Sequence, residues 1–177
     1  MRASTNIYLV GMMGAGKTTV GRLLARRLKL RFIDSDQEIE SRCGVKIPLI
    51  FEIEGEPGFR AREAQVLAEL TALDGVVLGT GGGAVLAEEN RKRLSSRGTV
   101  VSLRARPEDL YERVRHDRNR PLLATADPLG RLRELYAERD PHYRSIADVT
   151  VDTGAQGVQA LARELLHKLD ERWKASA

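Results

Sequence analysis

One glycine-rich octapeptide near the amino end constrains this chain more than any other feature. Residues 11–18 read GMMGAGKT, which matches the pattern GxxxxGK[ST], and they lie between an apolar run at Ile7–Val10 and an amphipathic stretch. A strand, a tight glycine loop and a helix in that order bind phosphate, because backbone N–H groups turn inward and the helix presents its positive end. The sequence therefore predicts a nucleoside triphosphate site on an α/β fold.

The polar side chains of this loop have distinct chemical roles. Lys17 is placed to reach the β- and γ-phosphates, and the Thr18 hydroxyl is placed to bind magnesium. Such loops serve kinases, GTPases, motors and toxins alike, so the motif does not identify the phosphate acceptor. The acceptor has to be inferred from the rest of the chain.

Apolar runs of strand length alternate with amphipathic stretches of helix length along the chain. This pattern predicts a three-layer α/β fold, in which a five-stranded parallel sheet is flanked by helices. The predicted strands are Ile7–Val10, Arg31–Asp34, Val76–Gly79, Thr99–Leu103 and Val149–Asp152. The predicted helices are Thr18–Leu28, Phe59–Leu73, Glu88–Leu94, Glu108–Val114, Leu129–Arg139 and Val158–Trp173. In the last helix, three- and four-residue spacing predicts a buried stripe formed by Val158, Leu161, Ala162, Leu165, Leu166 and Leu169.

Two segments interrupt the alternation, one at 36–58 and one at 115–128. The first contains three glycines and two prolines, and the second is mostly polar. Ligands of α/β sheets bind beyond the carboxyl ends of the strands, where both segments should lie. We therefore expect a substrate-binding insertion at about 35–63 and a lid at about 115–128.

Length and composition narrow the class of protein further. The 177 residues suit a single domain spanning 1–177, which we expect to be a monomer. The one cysteine, Cys43, excludes an intramolecular disulfide and indicates a reducing cytoplasm. His116, His142 and His167 lack metal-ligand spacing, and no segment has the length and apolarity of a membrane span.

The net charge of +4 does not by itself indicate nucleic acid, because basic and acidic residues are interleaved along most of the sequence. The stretch 104–120 is rich in arginine, with six arginines against four acids. Such a local bias suits a small, multiply charged anion. We expect neither a nucleic-acid partner nor a membrane partner.

Further polar residues follow the predicted strands. Asp34 can bind magnesium, directly or through water, and Asp36 can hold a substrate hydroxyl. Either carboxylate could instead cap the helix that begins near Gln37. Arg60 starts a long helix, and Glu63 lies three residues on, where it can hold the guanidinium. Residues 81–83 are three consecutive glycines, which let a ligand approach the backbone closely.

Taken in order, these motifs resemble the shikimate kinase family over nearly the whole chain. The matching residues are GMMGAGKT at 11–18, Asp34-x-Asp36, Phe59-Arg60-x-x-Glu63, Gly81-Gly82-Gly83, Arg120-Pro121-Leu122-Leu123 and Leu135-Tyr136-x-x-Arg139-x-x-x-Tyr143. The resemblance implies a P-loop kinase that transfers the γ-phosphoryl group of ATP to shikimate, with Mg²⁺ as cofactor. ATP and shikimate are the implied partners.

The resemblance also implies the site residues. Shikimate would be held by Asp36, Arg60, Gly82, Gly83 and Arg139, with both arginines on its carboxylate. The nucleotide would be held by Gly14, Ala15, Gly16, Lys17, Thr18, Thr19, Arg120 and Gln156, and magnesium by Thr18 and Asp34. Lys17, Asp36 and Arg120 would carry catalysis, and Phe51 and Phe59 would form a wall of the pocket or belong to the core. The arginine that stacks on adenine would be Arg115 or Arg118.

Two alternatives stay open at this point. One is another small-molecule kinase, for gluconate or a nucleotide. Arg60, Arg139 and the triple glycine are the features that distinguish the shikimate kinase family from such a kinase. The other is a nucleotide-binding regulator without metabolite turnover. Salt-dependent binding to nucleic acid without acid-dependent ATP turnover would favour the regulator.

Overall fold

Five parallel strands form a single sheet in the order β2-β3-β1-β4-β5. The computed structural model describes residues 6–154 and 156–176, so residues 1–5, 155 and 177 of the predicted domain lie outside the described residues. The strands are β1 (Ile7–Val10), β2 (Arg31–Asp34), β3 (Val76–Gly79), β4 (Thr99–Arg104) and β5 (Val149–Asp152). The predicted parallel sheet is confirmed, and β4 is one residue longer than predicted.

Seven α-helices are found among the described residues. They are α1 (Lys17–Leu28), α2 (Ser35–Cys43), α3 (Ile47–Leu70), α4 (Glu88–Arg97), α5 (Pro107–Val114), α6 (Pro128–Ile146) and α7 (Val158–Ser176). Two short 3₁₀ turns, Ala84–Leu86 and Pro121–Leu123, follow the triple glycine and the start of the lid. Because the strands are parallel, their carboxyl ends lie at one edge of the sheet. The loops that follow the strands therefore meet at that edge.

The core lies between the sheet and these helices. Every residue of β1 and β3 is buried, which is the expected pattern for central parallel strands covered on both faces. Leu161, Ala162, Leu165 and Leu169 of α7 are buried as predicted. Val158 was wrongly placed in that stripe, since it is 40% exposed at the first position of the helix.

Helix α3 differs from the prediction of a helix that begins at Phe59. It starts at Ile47, because Pro48 fits the first turn of a helix, where its missing N–H costs nothing. Gly55, with φ of 69°, breaks the helix locally before it continues. Much of the segment 36–58 is therefore helical, with its irregular backbone at Gly44–Lys46 and at Gly55.

Helix α6 continues seven residues beyond the predicted end at Arg139. Pro141 lies within it, although proline removes a backbone hydrogen bond in a helix interior. Residues on both sides of the proline are buried, namely Arg139 and Tyr143. Packing of this face outweighs the local cost of the proline and carries the helix on to Ile146.

Candidate active site

The loop after β1 wraps as a phosphate-binding loop. Gly11 has φ of 147°, and a Cβ there would lie 2.5 Å from the Leu103 carbonyl oxygen. Gly16, with φ of 96°, directly precedes α1. Both backbone conformations disfavour side chains, so the glycines let the loop close over the N-terminus of the helix.

Lys17 lies inside this loop. Its Nζ donates to the carbonyl oxygens of Gly11 and Met12, the latter at 2.8 Å. Burial lowers the pKa of the Lys17 ammonium to about 8, against an attraction from Asp36 that raises it. Phosphate oxygens can replace these neutral carbonyls and stabilise the charge.

Thr18 and Asp34 meet between α1 and the end of β2. The Thr18 hydroxyl donates to Asp34 Oδ2 at 2.8 Å, while Asp34 Oδ1 accepts from the backbone N–H groups of Asp36 and Gln37. Asp34 is thus both the N-cap of α2 and the partner of Thr18. A hydroxyl and a carboxylate are oxygen ligands of the kind that Mg²⁺ binds beside phosphates, so this pair fits the ion.

Asp36 projects from the first turn of α2 towards the triple glycine. A Cβ at Gly81 would lie 2.7 Å from its Oδ1 and 2.9 Å from Oε2 of Glu63. Both of these oxygens are buried without a hydrogen-bond partner among the described residues. Burial, followed by the neighbouring charge of Asp34, raises the pKa of the Asp36 carboxyl. The missing side chain of Gly81 therefore makes room for two carboxylates.

Arg60 is braced by two glutamates on its own helix. Its Nη1 donates to Glu63 at 2.9 Å, as predicted, and its Nη2 donates to Glu56 at 3.2 Å. Burial opposes its charge, but the two carboxylates hold the pKa of Arg60 above its ordinary value. A Cβ at Gly83 would lie 2.5 Å from the guanidinium carbon, so the arginine lies directly over this glycine.

Arg139 reaches the same loop from α6. Its side chain is only 1% exposed, and its Nη1 would lie 3.2 Å from a Cβ at Gly82. No ion pair with a carboxylate is found for it in the described part of the chain, and its Nε is buried without a partner there. Burial lowers the pKa of this guanidinium. A buried cation without a counter-ion marks a place for an anion.

A single cavity of about 700 Å³ joins these groups. The predicted site residues that line it are Gly14, Ala15, Gly16, Lys17, Thr18, Thr19, Asp34, Asp36, Arg60, Gly82, Gly83, Arg120, Arg139 and Gln156. Phe51 and Phe59 line it too, with ring centroids 4.9 Å apart. Phe59 is also buried in the core, so both of its predicted roles hold.

The lid segment carries Arg120 into the cavity wall. Arg120 Nε donates to Asp117 at 3.0 Å, within the same segment. Arg115 pairs with Glu112, and neither it nor Arg118 is among the residues that line the cavity. Gln156, which also lines the cavity, donates to the Asp152 carbonyl and to Glu164.

Three contributors were missed by the sequence analysis. Arg113 lines the cavity and donates to the carbonyl oxygens of Gly14 and Thr153, joining the phosphate loop to the segment after β5. Ser35 accepts a hydrogen bond from the backbone N–H of Gly81 at 3.1 Å. Tyr143 donates to the Gly82 carbonyl oxygen. Only Tyr143 gave a signal, because it stands in the motif with Arg139.

The fold and the cavity define a P-loop phosphotransferase with a second, carboxylate-lined and arginine-lined pocket beside its phosphate loop. The family model described as shikimate kinase matches residues 13–170. The chain belongs to the shikimate kinase family, and its activity is that of an ATP-dependent kinase.

Individual relatives agree with this assignment. The shikimate kinase of Thiobacillus denitrificans is 63% identical over 96% of this chain and 93% of its own length. The structure of shikimate kinase from Acinetobacter baumannii in complex with shikimate is 48% identical, with a TM-score of 0.94 over 97% of this chain and 95% of that one. A gluconokinase from Sinorhizobium meliloti, 21% identical with a TM-score of 0.63, covers 97% of this chain and 94% of its own and shares the fold alone.

None of the helices in the described part of the chain combines the length and the hydropathy that crossing a bilayer requires. Residues 6–154 and 156–176 hold no group of three or more His, Cys, Asp or Glu side chains arranged to bind a metal. Two oxygen donors such as Thr18 and Asp34 hold Mg²⁺ only together with further ligands, such as phosphate oxygens.

Proposed function

We propose that this protein transfers the γ-phosphoryl group of ATP to the 3-hydroxyl of shikimate, giving shikimate 3-phosphate and ADP in the aromatic amino acid pathway. The observation that carries the proposal is Arg139, a buried cation without a carboxylate partner in the described part of the chain, beside the triple glycine. Arg60 flanks the same glycines. Two guanidiniums next to a phosphate loop fit an acid that is also a phosphate acceptor.

The two arginines differ in what they need from the substrate. Arg60 already has Glu63 and Glu56 as counter-ions, whereas Arg139 has no carboxylate partner among the described residues. A substrate carboxylate would supply the missing charge at Arg139 and accept parallel hydrogen bonds there. A neutral analogue would leave a buried cation uncompensated, which gives strong discrimination.

Asp36 is placed to act on the substrate hydroxyl. Its Oδ1 has no hydrogen-bond partner in the described part of the chain, and it lies between the phosphate loop and the triple glycine. A hydroxyl can donate to this oxygen, and the raised pKa of the carboxyl favours proton acceptance as the phosphorus–oxygen bond forms. Asp36 therefore positions the nucleophile and can receive its proton.

Charge neutralisation would come from Lys17 and Arg120. A loose phosphoryl-transfer transition state spreads negative charge over its equatorial oxygens, so cations and alignment matter more than a strong base. Lys17 would leave the loop carbonyls for the phosphates, and Arg120 would leave Asp117. Magnesium, held by Thr18 and Asp34, would neutralise the phosphate charge.

The nucleotide base would lie at the rim formed by Arg113 and the segment after β5. Arg113 lines the cavity there, which supports it over Arg115 or Arg118 as the arginine beside adenine. Gln156 lies on the same rim. We further infer one domain with an acceptor-binding segment at about 35–63 and a lid at about 115–128, acting as a monomer.

The test is magnesium-dependent ADP release from ATP by the purified protein. The acceptors are shikimate, the methyl ester of shikimate, gluconate and nucleoside monophosphates. Stimulation by shikimate alone supports the proposal. Equal stimulation by the methyl ester would show that Arg60 and Arg139 do not select for the carboxylate. Stimulation by gluconate alone would show that the acceptor is gluconate and not shikimate.

A further inference from the structure

The phenol of Tyr143 lies behind the acceptor pocket, not in it. The side chain is 2% exposed, and its hydroxyl donates to the carbonyl oxygen of Gly82. The same hydroxyl lies 3.6 Å from Sδ of Met12, in the phosphate loop. Burial raises the pKa of this phenol, so it stays a neutral donor. Tyr143 therefore holds one peptide group of the triple glycine.

Holding that carbonyl also sets the direction of a neighbouring donor. The peptide bond between Gly82 and Gly83 is trans, as are the others in the described residues. In a trans peptide the carbonyl and the following N–H point in opposite directions. With the Gly82 carbonyl turned to Tyr143, the N–H of Gly83 points away from α6.

This N–H is available to a ligand. The Gly83 N–H has no hydrogen-bond acceptor among residues 6–154 and 156–176, whereas the Gly81 N–H is bonded to Ser35. Gly83 also lines the cavity and lies against the Arg60 guanidinium. An acid held by Arg60 therefore lies within reach of a backbone donor whose direction Tyr143 determines.

The same helix also carries Arg139. Residues four apart lie on one face of a helix, so Arg139 and Tyr143 project together from α6. Arg139 meets the loop at Gly82, and Tyr143 binds the carbonyl of the same residue. One helix thus fixes both the cation and the direction of the backbone donor.

We propose that Tyr143 is a positioning residue for the acceptor acid, acting through the Gly82–Gly83 peptide. The proposal rests on the acceptor pocket assigned under the proposed function. Tyr143 is not among the residues that line the cavity, so it acts without touching nucleotide or acceptor. Its loss should weaken acceptor binding and leave nucleotide binding intact.

The test compares Tyr143→Phe with Tyr136→Phe, which removes the hydroxyl of a half-buried tyrosine on the same helix. No hydrogen bond of the Tyr136 hydroxyl is found among the described residues. Loss of one hydrogen bond and of the fixed peptide direction should raise KM for shikimate about five- to tenfold in Tyr143→Phe. KM for ATP should stay within about twofold, and both constants should be unchanged in Tyr136→Phe. Equal rises in both KM values, or no rise for shikimate, would overturn the proposal.

A second measurement needs no variant and so does not depend on the folding of Tyr143→Phe. In protein labelled with ¹⁵N-glycine, shikimate should shift the Gly83 amide resonance much more than that of Gly81. A Gly83 resonance that does not respond would overturn the proposal even if turnover is normal. Wild-type protein without shikimate-dependent turnover would instead overturn the proposed function.

Discussion

At the scale of single residues, the arginines of the acceptor pocket are distinguished from the surface arginines by their surroundings. Arg60 is held between Glu56 and Glu63, and Arg139 is buried beside Gly82. Arg62 on α3 and Arg133 on α6 pair with carboxylates at the exposed surface. Exposed pairs contribute little, whereas buried guanidiniums select their ligand by shape and charge.

The first prediction is that Arg60→Lys and Arg139→Lys raise KM for shikimate by about 10- to 100-fold, because a lysine cannot make parallel hydrogen bonds to a carboxylate. KM for ATP should stay nearly constant. Steady-state kinetics with each substrate varied in turn measure both constants. Arg62→Lys and Arg133→Lys are the controls, and an unchanged KM for shikimate in both pocket variants would refute the pocket.

The second prediction concerns pH and Lys17. In the ligand-free protein burial lowers the pKa of this ammonium to about 8, so the charged form predominates below pH 8 and is lost above it. Phosphates bind the charged form, so the Kd for ATP should be nearly constant below about pH 7 and should begin to rise near pH 8. It should rise by up to about tenfold per pH unit above that value.

Calorimetric titration of ATP between pH 6.5 and 9.5 measures this dependence. Lys17→Arg is the matched control, because a guanidinium keeps its charge throughout this range. The control should bind ATP more weakly but without the break near pH 8. A break of equal size in both proteins would assign the titration to another group.

At the scale of elements, the lid combines local order with exposure. Asp117 accepts hydrogen bonds from the Asn119 backbone and from Arg120, and Asp127 caps α6 at the other end. Residues 115–119 are all exposed, while Leu122 and Leu123 pack partly against the core. The segment therefore has a fixed end and a free end, as a closing lid requires.

The third prediction is that nucleotide and shikimate together slow amide hydrogen exchange in residues 115–128. Closure would bring Arg120 onto the phosphates and remove backbone groups from water. Mass spectrometry of the protein alone, with each ligand, and with both measures this protection. Exchange in β1 and β3, which are buried already, is the internal reference, and a lid indifferent to both ligands would contradict closure.

At the scale of the whole molecule, the site joins elements that are distant along the chain. The cavity is lined from the phosphate loop, α2, α3, the triple glycine, the lid, α6 and the start of α7. Ligands that bridge these elements bind the folded state and not the unfolded chain. Their binding should therefore stabilise the protein as a unit.

The fourth prediction is that ADP and shikimate, each at 100 times its Kd, each raise the free energy of unfolding by about 2.7 kcal/mol. For a protein of this size the rise corresponds to roughly 2–4 °C in Tm for each kcal/mol. Differential scanning calorimetry measures both shifts. In Arg139→Lys the shikimate shift should shrink while the ADP shift persists, and loss of both shifts would indicate a global defect instead.

Local sequence patterns were enough to predict the layers, the five strands and the phosphate loop. These depend on local patterns, since apolar runs, helical spacing and glycine content are all readable within about ten residues. The same patterns also predicted the Arg60–Glu63 pair, because residues three apart in a helix face the same way. The resemblance to a family implied the acceptor residues, and all of them line the same cavity. Their contact with the acceptor stays a prediction.

Which groups meet across the sheet depends on the tertiary fold. Arg113 contacts Gly14, 99 residues away, and Tyr143 bonds to Gly82, 61 residues away, and no local pattern reports such distances. Packing likewise extended α6 through Pro141 and left Val158 exposed at the rim of the cavity. Short-range periodicity reports which face of an element is buried, whereas the partner across the cavity depends on how the chain folds back on itself.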